Sequence, residues 1–235
     1  HDYGITSDCL VKVAEKAFKN GSLNPKAWRR QVMTHDQIAN SLMIAHPLRQ
    51  YMFCSPSEGA AAMVLCSSRA AKKYTSKPVF LKAATVRTRR YGSFEIFSPG
   101  LPLEQTPTAT VQASQDAYEA AGIGPEDIDI AQLQDTEVGA EIMHMAENGL
   151  CKDGDQEALI QTGTTGINGK LPINTDGGCL ANGEPVGASG LRQVYEICLQ
   201  LRGDAGQRQV PNNPKTGYTH VYGIPGVSAV TILEK

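Results

Sequence analysis

The stretch GGCLANGEPVGASG at positions 177–190 carries glycine at 177, 178, 183, 187 and 190 and one carboxylate, Glu184, in its middle. Backbone without side chains can turn tightly and lie close to a bound molecule, here at Gly177, Gly178, Gly183 and Gly187. Ser189 and Gly190 then open an amphipathic run, so the unpaired N–H groups of a helix start can face an oxyanion or a phosphate. An ionised carboxylate accepts hydrogen bonds and cannot donate them, so Glu184 would act as a base or would orient water or a substrate hydroxyl. Asp135 follows Gln134 at the end of an apolar run, where it either caps the helix starting near Glu137 or takes part in chemistry. His220 and Tyr222 alternate with Tyr218, so the three share one face of a strand.

Lys12, Lys16 and Lys19 recur along one side of an amphipathic segment, and Lys26, Arg29 and Arg30 follow it; this is a solvated face or an anion site for a phosphorylated ligand. The six cysteines (Cys9, Cys54, Cys66, Cys151, Cys179 and Cys198) form no CxxC pair and no zinc-like spacing. They read as free core thiols in a reducing compartment, with no metal site; Cys179, inside the glycine-rich loop, is the one placed to touch a substrate. His35, His46 and His144 read as structural. The formal charge of −2 argues against nucleic-acid binding through phosphate contacts. No apolar run approaches the roughly 18–20 residues that span a bilayer, and no charged leader precedes a hydrophobic core, so a cytoplasmic location is expected. The chain begins with His1 and enters a helical pattern almost at once, which reads as a fragment.

These side chains need elements to position them. Residues 7–20 place Leu10, Val13, Ala14, Ala17 and Phe18 on one helical face, with Thr6 or Ser7 as N-cap. HDQIANSLMIAHPLRQY predicts a short helix and a proline-broken extended segment. SEGAAAMVLCS reads as a buried small-residue strand, SSRAAKKY as a capped helix and PVFLKAATV as a second buried strand. A long loop over 91–107 carries Phe94, Ile96, Phe97, Leu101 and Leu103, which could line a hydrophobic channel. TATVQASQDAYEAAG is a helix closed by Gly122, PEDIDIAQLQD leads into a strand, and TEVGAEIMHMAENG is the next helix. LRQVYEICLQLRG would bury Leu191, Val194, Ile197, Cys198 and Leu201. YTHVY and VSAVTILEK are strands joined by GIPG. Alternation of this kind predicts an α/β layered domain with a mixed sheet. SEGAAAMVL at 57–65 and PGVSAVTIL at 225–233 echo each other, by chance or as a structural repeat.

NTDGGCLANGEPVGASGLRQVYEICLQLRGDAGQRQV resembles the C-terminal signature of thiolases, in the branch of the sterol-carrier and lipid-transfer proteins, where a GHPxGxSG-like loop enters a helix. FCSPSEGAAAMVL resembles the strand that closes the first thiolase repeat, YGITSDCLVKVAEKAFKNGSLNP part of the loop domain, and QLQDTEVGAEIMHMAENGL a strand and helix usually marked His-Asp-Cys-Phe. The resemblance implies a thiolase-like layered fold (α-β-α) with a mixed five-stranded sheet, incomplete relative to a full thiolase. Residues 1–50 would be a loop-domain remnant with the basic helix, 51–77 the last strand and helix of the first repeat, and 78–235 the C-terminal repeat. The missing first half would leave apolar core uncovered unless the polypeptide is longer or another chain supplies that layer.

Three positions depart from the family pattern. The His-Asp pair reads Gln134-Asp135, the histidine of Gly-His-Pro is Glu184, and the C-terminal turn reads His220-Val221-Tyr222-Gly223. The half that supplies a nucleophilic cysteine in thiolases is also absent, so acyl transfer through a thiolate is not implied. Members of this branch that act in sterol side-chain degradation are retro-aldolases on β-hydroxyacyl-CoA thioesters, working with a partner that carries an OB-fold and zinc-ribbon-like domain. By resemblance Tyr222 is the first candidate for the proton transfer, with Glu184, Asp135 and His220 behind it. Lys12, Lys16 and Lys19 would hold the CoA phosphates, and Gly187, Ser189 and Gly190 the thioester. The only cofactor implied is the CoA of the substrate itself, and a homodimer is implied. An acetyl-CoA acetyltransferase with altered catalytic residues and a non-catalytic acyl-CoA-binding scaffold stand as alternatives.

Overall fold

The computed structural model describes residues 2–89, 107–223 and 226–235. Thr6 caps the first helix, α1 (Ser7–Ser22), by accepting from the Cys9 amide, and Cys9, Val13, Ala14, Ala17 and Phe18 are buried along it. Thr34 and Gln37 form a capping box on α2 (His35–Ala39). A small hairpin follows, β1 (Met43–Ala45) with β2 (Leu48–Arg49), and then α3 (Ser68–Ala71), capped by Ser67.

The remaining elements build the layered core. They are β3 (Phe80–Thr88), α4 (Ala109–Ala121), β4 (Ile130–Gln132), α5 (Val138–Glu147), α6 (Asp155–Gln161), α7 (Gly178–Asn182), α8 (Ser189–Arg202), β5 (Thr216–Gly223) and β6 (Val227–Glu234). The sheet order is β3-β6-β5-β4; β3/β6 and β6/β5 are antiparallel and β5/β4 parallel. One face of this mixed sheet packs on α4, through Ala83, Tyr218, Val230 and Ile232 against Ala113 and Ala117. The other packs on α8, through Ile130 and Leu233 against Val194, Ile197 and Leu201. Alternation along each strand feeds both layers, which gives the α-β-α arrangement. Among the described residues no helix is long and apolar enough to cross a membrane.

Several expectations need correction. The sheet has four strands among the described residues, not five: the fifth place is a single parallel bridge of Ile173 to Ala131. Pro172 before it has no N–H to give, and Asn174 after it has φ +55°, which turns the chain away. The 57–66 segment forms no strand, and Val64 and Leu65 are 92% and 75% exposed. Among the described residues no strand pairs with it to complete its backbone hydrogen bonds, so its echo of β6 does not extend to conformation. In β3 only Ala83 is buried, because β3 is an edge strand that α4 covers on one side. Leu191, expected inside, is 43% exposed. α6, α7 and the β1–β2 hairpin are short elements that periodicity does not reveal. Residues 91–106, with the channel expected there, and Ile224-Pro225 of the last turn lie outside the described residues.

Candidate functional site

β4 delivers Gln134 and Asp135, both buried, to the base of the glycine-rich loop. Asp135 accepts from the Cys179 amide at 2.6 Å and lies 3.5 Å from the Leu180 amide. It therefore caps α7 from outside that helix and does not cap α5, whose cap is Glu137. Gly178 is what allows this approach: its φ is +59°, and a Cβ there would stand 1.9 Å from Oδ2 of Asp135. Burial, with Glu141 nearby, pushes the Asp135 carboxyl well above the ordinary 3.8, against the pull of Arg192.

Arg192 is the hub on the α8 side. Burial alone would lower its pKa, but its ion pair with Asp176 overrides that and keeps the guanidinium charged. Its Nη2 also reaches Sγ of Cys179 at 3.6 Å. Asp176 in turn accepts from the Gly178 amide at 3.0 Å, so the same pair ties α7 to α8. A cleft of about 290 Å³ opens beside this pair, lined by Asn182, Pro185, Ala188, Arg192 and Tyr195 among others.

Glu184 emerges from α7 with its amide donating to the Ser55 carbonyl at 2.9 Å. Its carboxylate lies beside two thiols and contributes to raising both. Burial pushes Cys54 up to about 11, with Glu184 adding to it. Burial, then Asp135 and Glu184, pushes Cys179 well above its ordinary 9.0. The Cys179 thiol is within hydrogen-bonding reach of the Glu184 carboxylate, and Oε2 of Glu184 is buried with no N–H or O–H donor on it among the described residues; Ser57 Oγ, Ser189 Oγ and Gln193 Oε1 are likewise buried without a partner there. Among the described residues no side chain caps α8, so the amides of its first turn, Ser189 and Gly190 included, lack a capping acceptor, and Ser189 itself is buried. Gly190 lies against Val221: a Cβ would sit 3.3 Å from its Cγ2. Gly187 is exposed, with open space around it. Gln134 accepts from Nε2 of Gln193 at 3.5 Å.

His220 and Tyr222 point to the opposite face of the sheet. The His220 ring lies 4.4 Å from that of His144 and 3.3 Å from the Thr110 hydroxyl of α4. The Tyr222 ring lies 5.8 Å from His144. Burial, reinforced by His144, drives the His220 pKa well below 6.5, so the imidazole is neutral. Two groups result: Glu184, Asp135, Ser189 and Gly190 around α7 and α8, and Tyr222 and His220 with His144 under α4 and α5. His144 was read as structural, yet it joins the second group and pairs with Glu147 at 2.9 Å, an i,i+3 spacing the sequence contains. Arg192, Asp176 and Cys54 were missed in the first group; the arginine at the fourth position of a helix signals nothing until Asp176 is seen beside it.

The lysine face also divides. Lys19 is exposed, and Lys12 lies 3.5 Å from Asp8 and hydrogen-bonds Gln161. Lys16 is not on the solvated side: its amine pairs with the buried Glu141. Among the described residues no group of three His, Cys, Asp or Glu side chains could hold a metal ion.

A layered α-β-α sheet with a glycine-rich loop entering α8 is the C-terminal half of a thiolase-like fold. The chain belongs to the thiolase C-terminal domain-like family, whose sequence profile matches residues 103–235. It is 35% identical to an acetyl-CoA acetyltransferase of Methanothermobacter thermautotrophicus, over 100% of this chain and 60% of the relative. It is 34% identical to sterol carrier protein 2 of Oryctolagus cuniculus, over 99% of this chain and 42% of that protein. Among solved structures, the Ltp2-ChsH2(DUF35) aldolase superposes with a TM-score of 0.85 at 25% identity, covering 100% of this chain and 60% of that one. The chain thus spans roughly two fifths to three fifths of the length of these relatives.

Proposed function

We propose that this chain carries the catalytic surface of a thiolase-like lyase that cleaves a β-hydroxyacyl-CoA thioester by a retro-aldol reaction. The observation behind it is Glu184, a carboxylate whose buried Oε2 takes no N–H or O–H donor among the described residues, in the loop before a helix N-terminus without a side-chain cap. The thiols beside it are held protonated, Cys54 at about 11 and Cys179 above 9.0, so neither offers a thiolate at neutral pH. The likeness to an aldolase of the same fold supports the reading.

Glu184 takes the proton of the β-hydroxyl as that oxygen becomes a carbonyl. The Cα–Cβ bond breaks, and its electron pair passes into the thioester as an enolate. The amides of Ser189 and Gly190 stabilise the enolate oxygen. The proton held by Glu184 then returns to Cα, which leaves a ketone or aldehyde and a shortened acyl-CoA. Asp135 acts through α7, which it holds in place. In this reading Tyr222, the first candidate by resemblance, and His220, behind it, lie on the other face of the sheet and shape the β5 end next to Val221. The CoA phosphates fall to Lys19 and Lys26, because Lys16 is committed to Glu141. A sterol-sized acyl group, a homodimer and a partner with an OB-fold and zinc-ribbon-like domain complete the proposal, the last in line with the partner named with the aldolase.

The test is the fate of a β-hydroxyacyl-CoA thioester incubated with the longest soluble form of the protein, with and without such a partner. Release of the carbonyl product with no covalent acyl-enzyme in the intact-mass spectrum supports the lyase. An acyl adduct on a cysteine points to an acetyltransferase, and binding without turnover to a scaffold.

A further inference from the structure

Lys16 on α1 sets its amine against Oε1 of Glu141 on α5 and lies 3.4 Å from the Thr165 hydroxyl. The Glu141 side chain has no exposed surface, and its Oε2 accepts from Nδ2 of Asn174 at 2.8 Å. Asn174 is itself fully buried and uses every polar group it has. Its amide donates to the Ala131 carbonyl at 3.0 Å, its carbonyl accepts from Asn20 at 3.0 Å, and its Oδ1 accepts from the Leu133 amide at 2.9 Å. It does so at φ +55°, in the left-handed region that an asparagine tolerates better than most residues.

The Leu133 amide is the first donor beyond the last residue of β4, and Gln134 and Asp135 come next. A strand end normally frays once its ladder stops. Here one carboxamide takes the place of the missing neighbouring strand, and an ion pair from two helices fixes the carboxamide. A buried ion pair is a poor source of stability but fixes geometry when its remaining hydrogen bonds are satisfied, as they are here.

We propose that Lys16, Glu141 and Asn174 are positioning residues: together they hold the end of β4 so that Gln134 faces Gln193 and Asp135 holds α7, and thereby set where Glu184 stands. What that site does rests on the retro-aldol reading; that the three residues place it does not.

The test uses the full chain and Asn174→Gly, which tolerates the positive φ and removes the side chain with its carboxamide. The expected result is a folded protein whose kcat for thioester cleavage falls at least tenfold with KM within twofold, and whose amides at 133–135 exchange hydrogen faster. Lys16→Met alone strands the Glu141 charge and gives a similar loss. Lys16→Met with Glu141→Gln, which keeps a side-chain oxygen for Asn174, recovers most of that loss and serves as the readout if Asn174→Gly does not fold. An Asn174→Gly protein with a lowered Tm but unchanged kcat, or a double variant no better than Lys16→Met, overturns the proposal. A wild-type chain without turnover removes the lyase reading only. Hydrogen exchange then decides: faster exchange at 133–135 in Asn174→Gly upholds the brace, and unchanged exchange overturns it.

Discussion

At the scale of single residues, the proposed chemistry turns on Glu184 and Tyr222. Both are candidates in the sequence; Glu184 lies in the loop that leads into α8, and Tyr222 on the opposite face of the sheet beside His144. Glu184→Gln keeps the shape and removes the base, so turnover should fall by roughly 10²–10⁴ while circular dichroism is unchanged. Tyr222→Phe should cost less than about tenfold if Glu184 is the base, because the reaction then does not pass a proton through the Tyr222 hydroxyl. A kinetic comparison of the two variants with wild type checks both; a larger loss for Tyr222→Phe would return that residue to the first place. His220 gives a pH prediction. Its folded pKa is depressed, so below the ordinary 6.5 the unfolded chain takes up a proton that the folded chain refuses. The stability His220 contributes is therefore present above about pH 6.5 and lost on acidification, by up to about 1.4 kcal/mol per pH unit. His144 and Thr110 face the ring, and Tyr222 and Glu147 lie against His144. His220→Gln should flatten the fall of Tm between pH 7 and pH 5, as measured by thermal melts.

At the scale of elements, close backbone approach sets the positions of α7 and α8. Gly178 leaves room for Asp135 at the start of α7, and Gly217 of β5 lets α8 settle on the sheet: a Cβ at Gly217 would stand 2.3 Å from Cγ2 of Ile197. Gly217→Ala should therefore cost about 1–3 kcal/mol through overpacking. Combined with Ile197→Ala, the loss should be smaller than the sum of the two single changes, because each makes room for the other. Denaturant titration of the four proteins measures this, and strict additivity would show that α8 does not rest on Gly217. The long elements were readable in advance: α1, α4, α5, α8, β5 and β6 follow apolar periodicity and caps that the sequence contains. α7 was not, because five residues with a glycine before and after have no periodicity, and its cap comes from Asp135, 44 positions away.

At the scale of the whole molecule, the apolar side chains left outside are as informative as those inside. Val64, Leu65 and Val186 are 92%, 75% and 85% exposed, and Phe80 and Val86 of the edge strand β3 are 38% and 58% exposed. Exposed apolar side chains favour association where they cluster. The isolated 235-residue chain should self-associate at micromolar concentration, as light scattering after size exclusion would report. Val64→Asp with Leu65→Asp should reduce the association with little change in Tm, since neither side chain is buried; association that persists would place the sticky surface elsewhere, on β3 or near Trp28.

The sequence by itself determined the layered α/β class, the order and type of the long elements, and the family, because these follow from local periodicity, capping and a long motif around 174–210. It also marked the glycine-rich loop as the place where chemistry could occur. Tertiary structure alone decided which candidates meet. A strand shows that His220 and Tyr222 share a face, but not that this face turns to α4 and away from α8. A lysine at every third or fourth position looks solvated until one of them, Lys16, meets the buried Glu141. The physical reason is the same in each case: periodicity fixes direction relative to the element's own axis, whereas pairing across the sheet and packing between layers fix what lies in that direction.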